Sequence, residues 1–115
     1  MHTKTSFPSL ALEIKRAYLA AVAARREALM PYGITPARFD LLCAVRDSRM
    51  ATQAQLARTL RVTAPTVSRM VNALLSLGLL RSRAARDPRA RKLSLTLEGA
   101  GLVAAALAEF RVHAS

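Results

Sequence analysis

"TQAQLARTLRVTAPTVSRMVNALLSL", residues 52–77, carries two helix starts eleven positions apart. Thr52 with Gln55 three residues later forms a capping box, which opens a short helix running to Leu60. "RVT" leaves room for only a turn. Thr63 then caps a helix from Ala64 to about Leu77. At about 100° per residue, Val67, Met70, Val71 and Leu74 share one face of this second helix. Pro65, Arg69, Asn72 and Ser76 point the other way, with Thr66 and Ser68 flanking. Gly78 supplies a left-handed stop.

Two short helices joined by a tight turn, the second beginning with small polar residues, make a helix-turn-helix. Working outward, the period changes after Gly78. Leu80, Ser82 and Ala84 alternate with Arg81 and Arg83, and Leu93 and Leu95 alternate with Lys92, Ser94 and Thr96, a two-residue repeat that predicts two strands. They flank "ARDPRAR", where Asp87-Pro88 is a turn dipeptide. Upstream, Ser9 is expected to cap a helix from about Leu10 to Met30, striped by Leu10, Ile14, Tyr18 and Val22. "PYG" at 31–33 breaks it, and Thr35 and Pro36 restart a helix to about Ser48, with Phe39, Leu42 and Val45 inward. Thr96 caps a last helix to about Val112, striped by Leu102, Val103, Ala106, Leu107 and Phe110. The predicted class is mainly α with a small β-hairpin: a winged helix-turn-helix with flanking N- and C-terminal dimerisation helices. Residues 1–115 read as one domain, divided into 9–30, 35–96 and 97–112.

Composition supports a folded intracellular chain. At 115 residues and 52% hydrophobic it is too apolar for disorder and long enough for one modest core. Charge interrupts every apolar run before it reaches a membrane span, and the N-terminus does not read as a signal peptide. A lone cysteine, Cys43, fits a reducing interior, so the localisation expected is cytoplasmic. Net charge is +11, and from Arg58 to Lys92 nine cations face one acid. Six of those cations crowd into "RSRAARDPRARK", residues 81–92. Such a patch is the footprint of a polyanionic partner, with a solvated surface as the plainer alternative.

The stretch from Thr35 to Gly99 resembles the MarR family of bacterial transcription regulators. The resemblance rests on "QLARTLRVTAPTVSRMVNAL", "LGLLRS", the Asp87-x-Arg89 wing signature and "LTLEG", in that order. It implies a winged helix-turn-helix whose recognition helix enters the DNA major groove. It also implies a wing arginine in the minor groove and a homodimer built from the terminal helices. The expected partners are therefore double-stranded DNA and a second copy, with a small-molecule effector of unknown identity as a further candidate. The C-terminal helix is expected to be short for the family.

On this reading the recognition helix contributes Thr63, Pro65, Thr66, Ser68, Arg69 and Asn72. Arg69 can fork onto guanine, and Asn72 can pair with adenine or bond a phosphate. The wing contributes Arg86, Asp87, Arg89 and Arg91, with Arg89 past the turn and Asp87 placed to hold a neighbouring arginine. Thr52, Gln53, Gln55, Arg81 and Arg83 suit phosphate contacts, the first three at a helix start where free N–H groups attract anions. Capping alone explains Thr52 and Gln55 equally well. Leu10, Ile14, Tyr18, Leu102, Leu107 and Phe110 are the dimerisation candidates, although such stripes more often build core. Cys43 reads as an inert half-buried thiol rather than an oxidant sensor. No cofactor or catalytic site is expected, because no nucleophile–base grouping, carboxylate pair or phosphate loop appears. The two histidines, His2 and His113, sit at opposite ends of the chain, so no metal site is expected either.

Overall fold

The computed structural model describes the backbone of residues 7–83, 85–87 and 90–114, and the side chains among them from 9 to 110. Four threonines start four of the helices. Thr35 opens α2 (Pro36–Ser48), Thr52 opens α3 (Gln53–Leu60), Thr63 opens α4 (Ala64–Ser76) and Thr96 opens α5 (Leu97–Ala114). Each hydroxyl accepts a hydrogen bond from the backbone N–H three residues on: Arg38 at 3.2 Å, Gln55 at 3.2 Å, Thr66 at 3.4 Å and Gly99 at 2.9 Å. Each such cap contributes about 1 kcal/mol. Gln55 Oε1 completes its box by accepting from the Thr52 N–H at 2.8 Å. The first helix, α1 (Phe7–Leu29), departs from expectation: it starts two residues before Ser9, which lies inside it rather than capping it. Pro8 suits a first turn because its absent N–H has no partner there. A short 3-10 turn, Met30–Tyr32, ends at Gly33 with φ 66°, a left-handed residue that costs glycine little.

The core lies where α2 meets α3, α4, α5 and the hairpin. Leu42 and Val45 of α2, Leu56 of α3, Val67, Val71 and Leu74 of α4, Leu93 of the hairpin, and Val103 and Ala106 of α5 are all buried. Leu41, absent from the expected stripe, is fully buried too, because α2 is central and packed on more than one side. Strands β1 (Leu80–Arg83) and β2 (Lys92–Leu95) pair antiparallel, with Leu80 opposite Leu95 and Arg83 opposite Lys92. Ala51 adds a single-residue third edge, exchanging hydrogen bonds of 3.0 and 2.8 Å with Leu93.

One junction locks the hairpin to α5. Gly78, at φ 74°, turns the chain out of α4. Thr96 Oγ1 donates to the Gly78 carbonyl at 2.6 Å, and Thr96 N–H donates to the Leu79 carbonyl at 3.2 Å. Gly99 then passes so close that a Cβ there would lie 2.1 Å from the Leu79 oxygen. No larger residue fits without movement, which accounts for the glycine that closes "LTLEG".

Helix α1 separates into two halves. Its C-terminal half packs down, with Leu29 fully buried and Arg25 paired to Asp40 of α2. Its N-terminal half extends from the body, and every side chain from Ser9 to Ala21 is exposed. The Leu10–Ile14–Tyr18 stripe is therefore not core: these residues are 48%, 63% and 67% exposed. The C-terminal stripe differs. Leu102, Leu107 and Phe110 are half-buried against this chain's own core, and Phe110 meets Phe39 edge-to-face at 5.7 Å. Helix α5 runs to Ala114, two residues past the expected end.

Candidate nucleic-acid interface

Two helix N-termini and one wing residue surround an open concavity of about 550 Å³. Gln53 and Ala54 come from the first turn of α3, Ala64, Pro65, Ser68 and Asn72 from α4, and Arg91 from the end of the hairpin loop. The helix-turn-helix geometry brings them together. The buried Leu56 of α3 and Val67, Val71 and Leu74 of α4 draw the helices onto one core, which leaves their first turns side by side and outward. Free N–H groups at both ends favour an anion there, reinforced by the Arg91 guanidinium. Five of the expected site residues, Gln53, Pro65, Ser68, Asn72 and Arg91, line this concavity.

The remaining expected residues lie elsewhere. Arg69 is exposed on the outward face of α4 but outside the concavity, and Thr66 is half-buried beside it, as the helical period predicts. Thr52, Gln55 and Thr63 have their side chains engaged in capping; Thr63 Oγ1 also donates to Thr66 Oγ1 at 2.9 Å. Gln53 is thus the expected residue of the α3 start that lines the concavity. Arg81 and Arg83 line a separate cleft on the hairpin. At the tip, Arg86 and Asp87 are exposed, and the Asp87 carbonyl accepts from Ala90 N–H at 2.9 Å, closing the expected turn. Pro88 and Arg89 lie outside the described residues. Ala54 and Ala64 are surfaces of the site that sequence reasoning missed, since an alanine carries no chemical signal; their small size opens the concavity.

Away from this surface, burial pushes the half-buried Cys43 thiol up, with Asp40 and Asp47 adding to the rise and Arg46 and Arg25 opposing it. Burial and then Glu109, whose Oε2 accepts from the Tyr32 hydroxyl at 3.1 Å, raise the Tyr32 phenol. Among the described residues no three histidine, cysteine or carboxylate side chains gather as metal ligands, and no helix is long and apolar enough to cross a membrane.

A sequence model described as the MarR family matches residues 32–91. Among solved structures, the chain is similar to a cysteine-to-serine mutant of MarR from E. coli at 25% identity, covering 91% of this chain and 76% of that one, with a TM-score of 0.75. It is similar to the same mutant complexed with operator DNA at 27% identity, over 85% of this chain and 71% of that one, with a TM-score of 0.74. MepR, a transcription regulator of the Staphylococcus aureus multidrug efflux pump MepA, aligns at 23% identity over 94% and 78% with a TM-score of 0.78, a likeness of fold. No match is found among curated proteins.

Proposed function

The chain belongs to the MarR family of transcription regulators, and from that premise we propose that it binds double-stranded DNA sequence-specifically, as a homodimeric repressor on a palindromic operator. The carrying observation is the concavity at the paired starts of α3 and α4, edged by Arg91. A duplex laid against it meets helix N-termini and an arginine at its phosphates, while the outward face of α4 reaches its base edges.

In this reading Arg69 and Asn72 read bases, and Pro65, Thr66 and Ser68 shape the fit of the helix to the groove. Gln53 and Arg91 hold phosphates, and the hairpin tip, with Arg86 and Arg89, enters the neighbouring minor groove. Thr52, Gln55 and Thr63 act through the caps that fix the two helix starts. A second copy covers the exposed apolar residues of α1, Leu10, Leu12, Ile14, Tyr18 and Leu19, beside the half-buried Leu102, Leu107 and Phe110. Residues 1–115 act as one unit, and a small-molecule effector of unknown identity belongs to the proposal. The operator complex of E. coli MarR supports DNA as the partner class.

Fluorescence-anisotropy titration of wild type and Arg89→Ala, against a library-selected duplex and its scrambled counterpart at several salt concentrations, tests the reading. Arg89→Ala is expected to weaken binding to both duplexes and lower the salt slope by about one unit. Equal affinity of the wild type for the two duplexes would contradict sequence-specific binding.

A further inference from the structure

The concavity at the starts of α3 and α4 is not uniformly polar. Ala54, Ala64 and Pro65 line it with carbon alone, and all three are exposed. Ser68, Asn72 and Arg91 stand around them, so an apolar patch lies among groups suited to a duplex. The two helix starts also differ in what they offer. At α3, the Gln55 N–H is donated to Thr52, while those of Gln53 and Ala54 precede it in the uncapped first turn. At α4, Pro65 has no N–H and the Thr66 N–H is donated to Thr63 Oγ1, which leaves Ala64 as the donor of that turn. A phosphate is therefore better served at α3, and the start of α4 presents mainly C–H surface.

In the major groove, the C5-methyl group of thymine is the apolar feature of a base-pair edge, and small apolar side chains contact it. Burying a group of that size against carbon is worth about fourfold in affinity. Pro65 stands one helical turn before Arg69, on the same outward face of α4. A turn rises about 5.4 Å and bases are about 3.4 Å apart, so the two side chains address positions within about two base pairs of each other.

We propose that Ala54, Ala64 and Pro65 form a specificity site for the C5-methyl group of a pyrimidine, thymine in an unmodified duplex. The inference rests on the proposed function and deepens it, by giving one base position of each half-site to apolar reading rather than to hydrogen bonds. Such a site senses the methyl group and not the pairing edge of the base. At that position 5-methylcytosine therefore satisfies it as thymine does, and cytosine does not. Methylation of a cytosine there tightens binding.

Pro65→Ser and Ala54→Ser are the test variants, both at exposed positions, with unfolding midpoints compared to check that the fold is kept. Titrations use a duplex selected by the wild type, with deoxyuridine replacing thymine at one position of one half-site at a time. Loss of the methyl group within about two base pairs of the position that Arg69→Ala relaxes is expected to weaken wild-type binding about fourfold. Both variants are expected to bind the thymine and deoxyuridine forms alike. A further arm needs no variant: at the same position, 5-methylcytosine is expected to bind the wild type about fourfold more tightly than cytosine. No position whose methyl group matters, or the same loss in wild type and variants, overturns the site and leaves the two alanines and the proline as clearance alone. Either result, with the selected duplex still preferred to its scrambled counterpart, strikes this inference and not the proposed function. Failure to select any duplex strikes both.

Discussion

In the proposed function, Arg69 is the residue on which base reading turns. It stands exposed on the outward face of α4, whose opposite face is anchored by fully buried Val67 and Leu74. A rigid helix presenting one forked donor predicts that Arg69→Ala loses about 1–3 kcal/mol of binding and relaxes preference at one base position, measurable by titration against single-site variants of a selected duplex. Cys43 gives the opposite expectation. Its thiol is raised chiefly by burial, so the neutral form dominates at physiological pH. Iodoacetamide should alkylate it more slowly than free cysteine, and peroxide should not release the protein from DNA; peroxide release of wild type but not of Cys43→Ser would contradict this. The linkage has a definite sign. A thiol whose folded pKa is raised contributes stability that is complete below its unfolded value and lost as pH rises through the folded one, so the loss belongs to alkaline pH. Two arginines carry backbone strain that their sequence did not advertise. Arg61 ends α3 at φ 56°, ψ 47°, and Arg49 follows α2 at φ 67°, ψ −45°. A left-handed conformation costs a residue with a Cβ about 1–2 kcal/mol, so Arg61→Gly should raise the unfolding midpoint.

At the scale of elements, the Gly78–Thr96–Gly99 junction sets the angle between hairpin and α5. Gly99→Ala forces a Cβ onto the Leu79 carbonyl and should destabilise by about 1–3 kcal/mol or more, read as a lowered denaturation midpoint. The helix starts were legible because caps are local: Thr35 followed by Pro36, Thr52 with Gln55 three positions on, and Thr63 carry the signal, and α2, α3 and α4 begin where it lies. The strands were legible from their two-residue period. Ala51 was not, since one bridging residue has no period, and neither was Leu41, whose burial follows from where α2 sits rather than from its own pattern. Ser9 misled because a polar residue near a helix start resembles a cap, while Pro8 lets the helix begin earlier. The candidate site was legible wherever polar residues faced outward on α4. The division of the basic residues between two clefts was not, because it depends on which face of the hairpin each strand position occupies.

For the whole molecule, the proposed dimer rests on the apolar residues exposed along α1. Leu10, Ile14 and Tyr18 stay in water in a single copy, and their burial between two copies is the expected outcome. Light scattering at micromolar concentration should give a dimer mass, and Ile14→Glu should shift it toward monomer and weaken binding to a full operator more than to a half-site. The two-fold axis of such a dimer places its recognition helices about one turn of DNA apart. Selection of bound duplexes from a random-sequence library measures this most directly, since it requires sequence preference, dimer geometry and the α4 surface at once. The expected outcome is an enriched inverted repeat with half-site centres about 10 base pairs apart, degraded at one position in each half when Arg69→Ala replaces the wild type. Recovery of no common sequence, or of a repeat unchanged by Arg69→Ala, would contradict it.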